Sequence, residues 1–354
     1  MKNSYIHLST FLLKKKRDGG VRRSCQISEN IASYKIDTVF IAEDYRQLAR
    51  VTYRCPLTFI SSFLISLRYY ANFGLTLSGM IRFAFFLAEV RHILLRYPSQ
   101  GIILETAFGS TILLMRYLTE IGKEYSVFSH NIEFCTPIPM SELRKYFCSS
   151  KQLRQNEIFG YKNAERVYVI SEVDKQILEK ESVGSFIAPY YPCSHDKKWL
   201  SRTYHLRKKT KQKKEFFLMF GSAANPPTLA GLKQAIHAMS LLDIQVKIAG
   251  FGTECLAQYC SDNIQMLGTQ SDLEMQWLLV NCKALIVNQP NTSGFVTKLV
   301  DINLCGVPQI VISEYVQARG LEEYGIYIRD LFNIKHLLLE DNFKKFSKIS
   351  LRIF

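Results

Sequence analysis

The sequence predicts an α/β protein built from two Rossmann-like, doubly wound domains facing across a cleft. Three observations predict it. Short apolar runs alternate with stretches of helical spacing, the pattern of a parallel sheet covered by helices. The alternation breaks near residue 190 at a proline-flanked, basic stretch and then restarts. The chain has 354 residues, which at roughly 150 per domain suits two domains.

In the first half, Ser4–Leu8, Thr38–Ala42, Ile102–Leu104, Ser126–Ser129 and Arg166–Ile170 read as strands. Each is short and apolar, and polar or glycine-containing residues follow it. Val21–Ala32 and the stretch around Leu113, Leu114, Tyr117 and Leu118 have helical spacing. The long aromatic segment 57–97 reads as helices covering the sheet. Residues 1–190 therefore form the first domain. Pro189-Tyr190-Tyr191-Pro192 opens the break, and Arg207–Lys214 holds six basic residues in eight, so 191–214 reads as a solvated basic linker. The second domain, 215–354, follows the same logic. Phe216–Phe220, Ile244–Ala249, Ile264–Leu267, Ala284–Val287 and Gln309–Ile312 are its strands, and Thr228–Ser240, Leu273–Leu279 and Phe295–Cys305 its helices. The chain ends soon after Phe343–Phe346, so a returning C-terminal helix is expected to be short.

Composition narrows the function. The chain is 47% hydrophobic and 21% charged, which excludes wholesale disorder. A formal charge of +14 calls for an anionic partner. Nucleic acid is disfavoured, because the basic residues cluster without interleaved aromatic platforms. Nine cysteines without a Cys-x-x-Cys pair suggest free thiols in a reducing compartment, and no zinc spacing appears. The start lacks a signal-peptide pattern, and no apolar run reaches the length of about 18 residues that a spanning helix needs. The expected location is the cytoplasm, with peripheral binding to an anionic membrane surface. Lys14–Arg17, Arg22, Arg23 and the segment 57–97 are the candidates for that contact.

Doubly wound sheets bind ligands beyond the carboxyl ends of their strands. Five stretches lie there. Gly19-Gly20 precedes the first helix and allows close backbone approach, or is an ordinary turn. His130, in Ser129-His130-Asn131-Ile132-Glu133, is either a ligand contact or a buried, hydrogen-bonded histidine. Gly221-Ser222-Ala223-Ala224-Asn225-Pro226-Pro227 leads into a helix that Asn225 caps, with room for a phosphate near the amides or simply a good cap. Gly250-Phe251-Gly252 is a further loop, too short for a dinucleotide fingerprint. In the last, Ser293-Gly294 enters a helix on which Lys298 and Asp301 sit three residues apart and share a face. That pair is either a diphosphate and ribose grip or a surface ion pair.

The order of these motifs resembles the retaining GT-B glycosyltransferases of the group 1, or family 4, type. The residues that carry the likeness are Gly221-Ser222, Asn225-Pro226, Gly250 with Gly252, Leu267-Gly268, Ser293-Gly294, Lys298, Asp301, and Gly306 with Pro308, together with Gly19-Gly20, the His130 loop and Ala164–Ser171 in the first half. The resemblance implies transfer of a sugar from a nucleotide-sugar donor to a saccharide or lipid-linked acceptor, with retention and in surface polysaccharide synthesis. It implies His130 and Lys298 as catalytic residues. Gly19, Gly20, Gly221, Ser222, Asn225, Gly250, Gly252, Ser293, Gly294, Lys298 and Asp301 would bind the donor. No metal and no cofactor beyond the donor is expected, and Asp-x-Asp is absent from the chain. Two departures stand out: Asp301 replaces the family's usual Glu, and the loop after Phe220 lacks its frequent Arg and Lys. They keep open a catalytically silent partner subunit. A nucleotide-sugar epimerase is the other alternative, because that chemistry occurs on the same architecture.

Overall fold

A computed structural model describes residues 5–10, 19–34, 36–41, 55–98, 100–106, 108–210, 215–288, 295–312 and 326–328. The chain divides into two compact units, one running to Tyr190 and including Phe295, the other beginning at Tyr191.

The first unit is a six-stranded sheet in which every pair is parallel. Its strands are β1 (Tyr5–Ser9), β2 (Asp37–Phe40), β3 (Gly101–Thr106), β4 (Tyr125–Ser129), β5 (Arg166–Val169) and β6 (Phe186–Ile187), in the order β2-β1-β3-β4-β5-β6. The winding direction reverses between β1 and β3, so their carboxyl ends open a crevice. Helices α1 (Gly19–Ala32), α2 (Pro56–Phe73), α3 (Leu77–Arg96), α4 (Ser110–Glu120), α5 (Met140–Leu143), α6 (Ser150–Asn163) and α7 (Glu172–Lys180) cover it. The core forms where Ile6, Leu8, Leu104 and Val127 meet Phe83, Phe86 and Leu87 of α3. Thr76 caps α3 by accepting from Gly79 N at 3.0 Å.

The second unit repeats the plan with β7 (Phe216–Phe220), β8 (Gln245–Ala249), β9 (Ile264–Gly268), β10 (Leu285–Val287), β11 (Gln309–Ile312) and β12 (Ile326–Ile328). Their order is β12-β11-β10-β7-β8-β9, again all parallel, and the reversal falls between β7 and β10. Helices α8 (Ser194–Lys209), α9 (Pro226–Met239), α10 (Asp272–Asn281) and α11 (Thr297–Leu304) flank it. Leu232, Ile236 and Met239 of α9 pack on Met219, Ile248, Ile286 and Ile310. Ser271 and Glu274 form a full capping box at the start of α10.

One expectation is corrected here. Most of the stretch read as a solvated linker is helix α8, which packs on α10 and α11. Arg207, counted among the linker charges, is buried. Its guanidinium donates to the carbonyls of Leu279, Cys282 and Gly306 at 2.6, 2.9 and 3.0 Å, and to those of Val280 and Lys283 at 3.2 Å. Four of these acceptors lie at and beyond the C-terminus of α10 and the fifth, Gly306, just past that of α11, so the charge has a structural use. The remainder of the expected linker, 211–214, and the expected C-terminal helix lie outside the described residues.

Candidate functional site

In the first unit the crevice between β1 and β3 is filled by charge. Glu105, near the end of β3, is fully buried. His7 Nε2, from β1, lies 2.7 Å from its Oε1. His130, in the loop after β4, donates from Nε2 to its Oε2 at 2.9 Å, and Ser24 of α1 donates to the same oxygen. His7 Nδ1 in turn sits 3.0 Å from Thr38 Oγ1 of β2. Burial alone would raise the Glu105 carboxyl. The hydrogen bonds and charge of His130 and His7 outweigh that and hold it at about 2. One carboxylate thus ties together β1, β3, α1 and the loop that carries His130.

That loop has a second anchor. Glu157 of α6 is buried and accepts from the backbone N–H groups of Glu133 and Phe134, each at 2.9 Å, while Tyr161 donates to its Oε1 at 2.9 Å. Burial, with the neighbouring Glu133 adding, pushes Glu157 up to about 8. Burial likewise raises Glu133 to about 7.

Gly19 and Gly20 are not loop residues: they are the first two residues of α1. Arg23, considered for an anion, is buried and donates instead to the carbonyls of Ala188 and Pro189 and to Gln26.

In the second unit the loops after β7, β8 and β9 interlock. Gly221 N donates to Ala249 O at 3.1 Å, Gly250 N to Gly268 O at 2.7 Å, and Ala223 N to Phe251 O at 2.8 Å. Gly250 has φ of +137°, and a Cβ there would lie 2.0 Å from Gly221 O, so only glycine fits. Gly252 holds φ of +74° at the start of a short 3-10 turn. Ser222 Oγ accepts from Ala224 N at 3.3 Å, closing the β7 loop on itself.

Asn225 caps α9 as expected, accepting from Thr228 N at 3.2 Å. The cap removes the amide site expected beside it. Pro226 and Pro227 have no N–H, and Asn225 occupies that of Thr228, so the first turn of α9 offers no free donor.

The positive charge comes from elsewhere. Lys298, in the first turn of α11, points its Nζ at the end of β7 and donates to Phe220 O at 3.3 Å. A Cβ on Gly221 would lie 3.7 Å from that Nζ. Burial lowers Lys298 to about 8, and no carboxylate among the described residues forms an ion pair with it. Val296 gives α11 no side-chain cap, so the amides of its first turn add to this positive end. Asp301, one turn on, is buried, and no ion pair joins it to Lys298. Ser293 and Gly294 lie outside the described residues. The structure thus assembles Gly221, Gly250 and Lys298 at one switch point, and His130 with Glu105 at the other. Glu105, His7 and Ser24 had no place in the sequence reading; the signal for two of them is a carboxylate and a histidine inside apolar strand runs.

Two all-parallel units, each with polar groups at its switch point, define a nucleotide-binding type of α/β architecture. No protein-family model matches the chain, and no curated protein matches it in sequence. Solved structures do match. A glycosyltransferase from Rickettsia africae ESF-5 is similar with a TM-score of 0.58 at 11% identity, over 98% of this chain and 92% of that one. HepE from Anabaena, in complex with UDP-glucose, is similar with a TM-score of 0.58 at 13% identity, over 98% and 92%. A UDP-GlcNAc 2-epimerase from Methanocaldococcus jannaschii, in complex with UDP-GlcNAc and UDP, has a TM-score of 0.50 at 12% identity, over 96% and 93%. The chain therefore has the fold of the GT-B glycosyltransferases.

Proposed function

We propose that this chain is a glycosyltransferase of the retaining, group 1 type, which moves a sugar from a nucleoside-diphosphate donor to a hydroxyl of a saccharide or lipid-linked acceptor. The observation that carries the reading is the Lys298 ammonium at the β7 switch point, which forms no ion pair among the described residues. A charge without a counter-ion among those residues suits a ligand that brings its own negative charge. In the reaction the bond from the anomeric carbon to the diphosphate oxygen breaks. The acceptor oxygen bonds to the same face of the sugar, and its proton passes to the departing phosphate. Lys298 and the first amides of α11 stabilise the charge that develops on the leaving diphosphate, and they need little reorganisation to do so. Gly221 and Gly250 let the loops after β7 and β8 pack closely beside Lys298. Asp301 is assigned the ribose hydroxyls and the Ser293-Gly294 loop the donor sugar. His130, oriented by Glu105, is the sugar-side group of the first unit, and the remaining positive charge is supplied by the protein rather than a metal. The expected setting is surface polysaccharide synthesis at the cytoplasmic face of a membrane.

Titration calorimetry with UDP, GDP and ADP, followed by assay of nucleotide sugars for slow donor hydrolysis, tests this reading. Binding of one nucleotide and release of it from its sugar conjugate are expected; no binding to any of the three would point to a silent partner subunit. The likeness to the 2-epimerase favours one second reading, interconversion of the donor sugar itself. An epimerase changes the donor without an acceptor, so product analysis in its absence separates the two.

A further inference from the structure

A line of buried polar groups crosses the first sheet. Along the order β2-β1-β3, Thr38 stands opposite His7, and His7 opposite Ile103. Glu105 lies two residues beyond Ile103, so Thr38, His7 and Glu105 share one face of the sheet. Ile6, Leu8 and Leu104 occupy the other face and belong to the core. His130 reaches the same carboxylate from the loop after β4. His7, Glu105 and His130 are all buried. The contacts run in series: Thr38 Oγ1 to His7 Nδ1 at 3.0 Å, His7 Nε2 to Glu105 Oε1 at 2.7 Å, and Glu105 Oε2 to His130 Nε2 at 2.9 Å. Two imidazoles thus flank one carboxylate, one at each oxygen, and Ser24 joins at Oε2.

The middle group dictates where the protons sit. Glu105 is held at about 2, so above that pH it is a carboxylate. A carboxylate only accepts. Each imidazole nitrogen facing it at contact distance therefore carries a proton, and the Nε2 protons of His7 and His130 are fixed. The partner of one ring nitrogen decides the role of the other. His130 is left to gain or lose a proton through Nδ1, and in the neutral ring Nδ1 is an acceptor. A sugar hydroxyl can donate to it, whereas an ionised phosphate oxygen cannot.

We infer that His7 and Glu105 are positioning residues that lock a proton on His130 Nε2, so that His130 Nδ1 takes a sugar hydroxyl rather than a phosphate. This rests on the reading of His130 as the sugar-side group, but the lock is read without any nucleotide, so either can fail alone. The full chain is labelled with nitrogen-15 in its histidine rings, and NMR spectra are recorded from about pH 5 to 9. His130→Gln and His7→Gln assign the two rings. In the wild type both Nε2 atoms should keep their protons throughout. In Glu105→Gln the amide offers one accepting oxygen and one donating nitrogen, so one of the two rings should move its proton from Nε2 to Nδ1. With UDP-glucose and UDP as probes, the same variant should lose about tenfold more affinity for the first than for the second, the scale of one hydrogen bond. His7→Leu should show part of that loss, and His7→Gln, which keeps an N–H for Oε1, should recover it. A wild-type His130 that gives up its Nε2 proton within this range would overturn the proposal. So would unchanged tautomers in a folded Glu105→Gln, or equal losses for UDP-glucose and UDP. Should Glu105→Gln not fold, the wild-type spectra and the two His7 variants decide.

Discussion

Replacing Lys298 with methionine removes the ammonium and nearly keeps the side-chain volume. Burial holds Lys298 at about 8 in the folded second unit, against an ordinary 10.5. Carrying the charge at pH 7 therefore costs the fold on the order of 3 kcal/mol at full burial. The residue is half-buried, so water screens it, and about 1–2 kcal/mol is the working figure. Below pH 8 the lysine is charged whether folded or unfolded, and the cost is fully present. Between pH 8 and 10.5 the folded side chain loses its proton first, and the cost disappears. Lys298→Met should thus be more stable than wild type at pH 7 by about 1–2 kcal/mol in urea denaturation, with the gap closing towards pH 10.5. The same variant should lose donor turnover by about 100- to 1,000-fold, the scale of one preorganised donor to a developing oxyanion. Calorimetry with UDP supplies a third readout. A bound diphosphate favours the protonated lysine, so binding above pH 8 should take up a proton, and the variant should take up none. A variant less stable than wild type at pH 7, or one that binds UDP with unchanged affinity, would refute the reasoning.

Glu105 behaves oppositely: its folded value of about 2 lies below the ordinary 4.5. It should contribute on the order of 3 kcal/mol above pH 4.5, lost as pH falls towards 2, so Glu105→Gln destabilises the first unit at pH 7 and the gap closes in acid. Glu133 and Glu157 keep their protons to about 7 and 8. Stability of the first unit should therefore fall between pH 4.5 and 8 by up to about 1.4 kcal/mol per pH unit per group, and Glu157→Gln should flatten that slope in pH-dependent melts. Arg207→Ala leaves five carbonyls without their donor. A loss of about 3 kcal/mol and a drop of about 6–12 °C in the second unit's calorimetric transition are expected, with Arg207→Lys recovering only part. Gly250→Ala drives a Cβ into Gly221 O, and should weaken UDP binding together with stability by about 2 kcal/mol or more.

The strands were legible because they are buried on both faces and need only continuous apolar runs. Phe216–Phe220 and Gln309–Ile312 show it: four of the five residues of the first are buried, and all four of the second. The switch-point chemistry of the first unit was not legible. Glu105 meets His7 because β1 lies beside β3, with Ile6 opposite Ile102, and no local pattern encodes a pairing across so long a stretch of chain. Arg207 was misread for a related reason. Composition places a basic run in water, but a guanidinium with five donors can equally answer the orphan carbonyls of a helix that follows much later in the chain. Asn225-Pro226 left a cap and a phosphate seat as alternatives; the structure shows the cap, and the prolines that favour the helix start also remove donors from its first turn.

The two switch points are loaded with charge in contrasting ways. In the first unit Glu105 is surrounded by groups of the protein itself: two imidazoles and a hydroxyl meet the carboxylate, and its charge is stabilised in the folded chain alone. In the second unit Lys298 meets, among the described residues, the Phe220 carbonyl and the face of the Phe220 ring but no carboxylate, and its charge is disfavoured there. A half-buried ammonium without a carboxylate among the described residues lowers stability, and something outside the chain that brings negative charge would restore the balance. A diphosphate would do so, and its binding free energy would include the relief of that strain. The asymmetry therefore separates the two: the first switch point is a frame that fixes the direction of His130, and under the proposed function the second would be the place where donor binding and charge stabilisation are the same event.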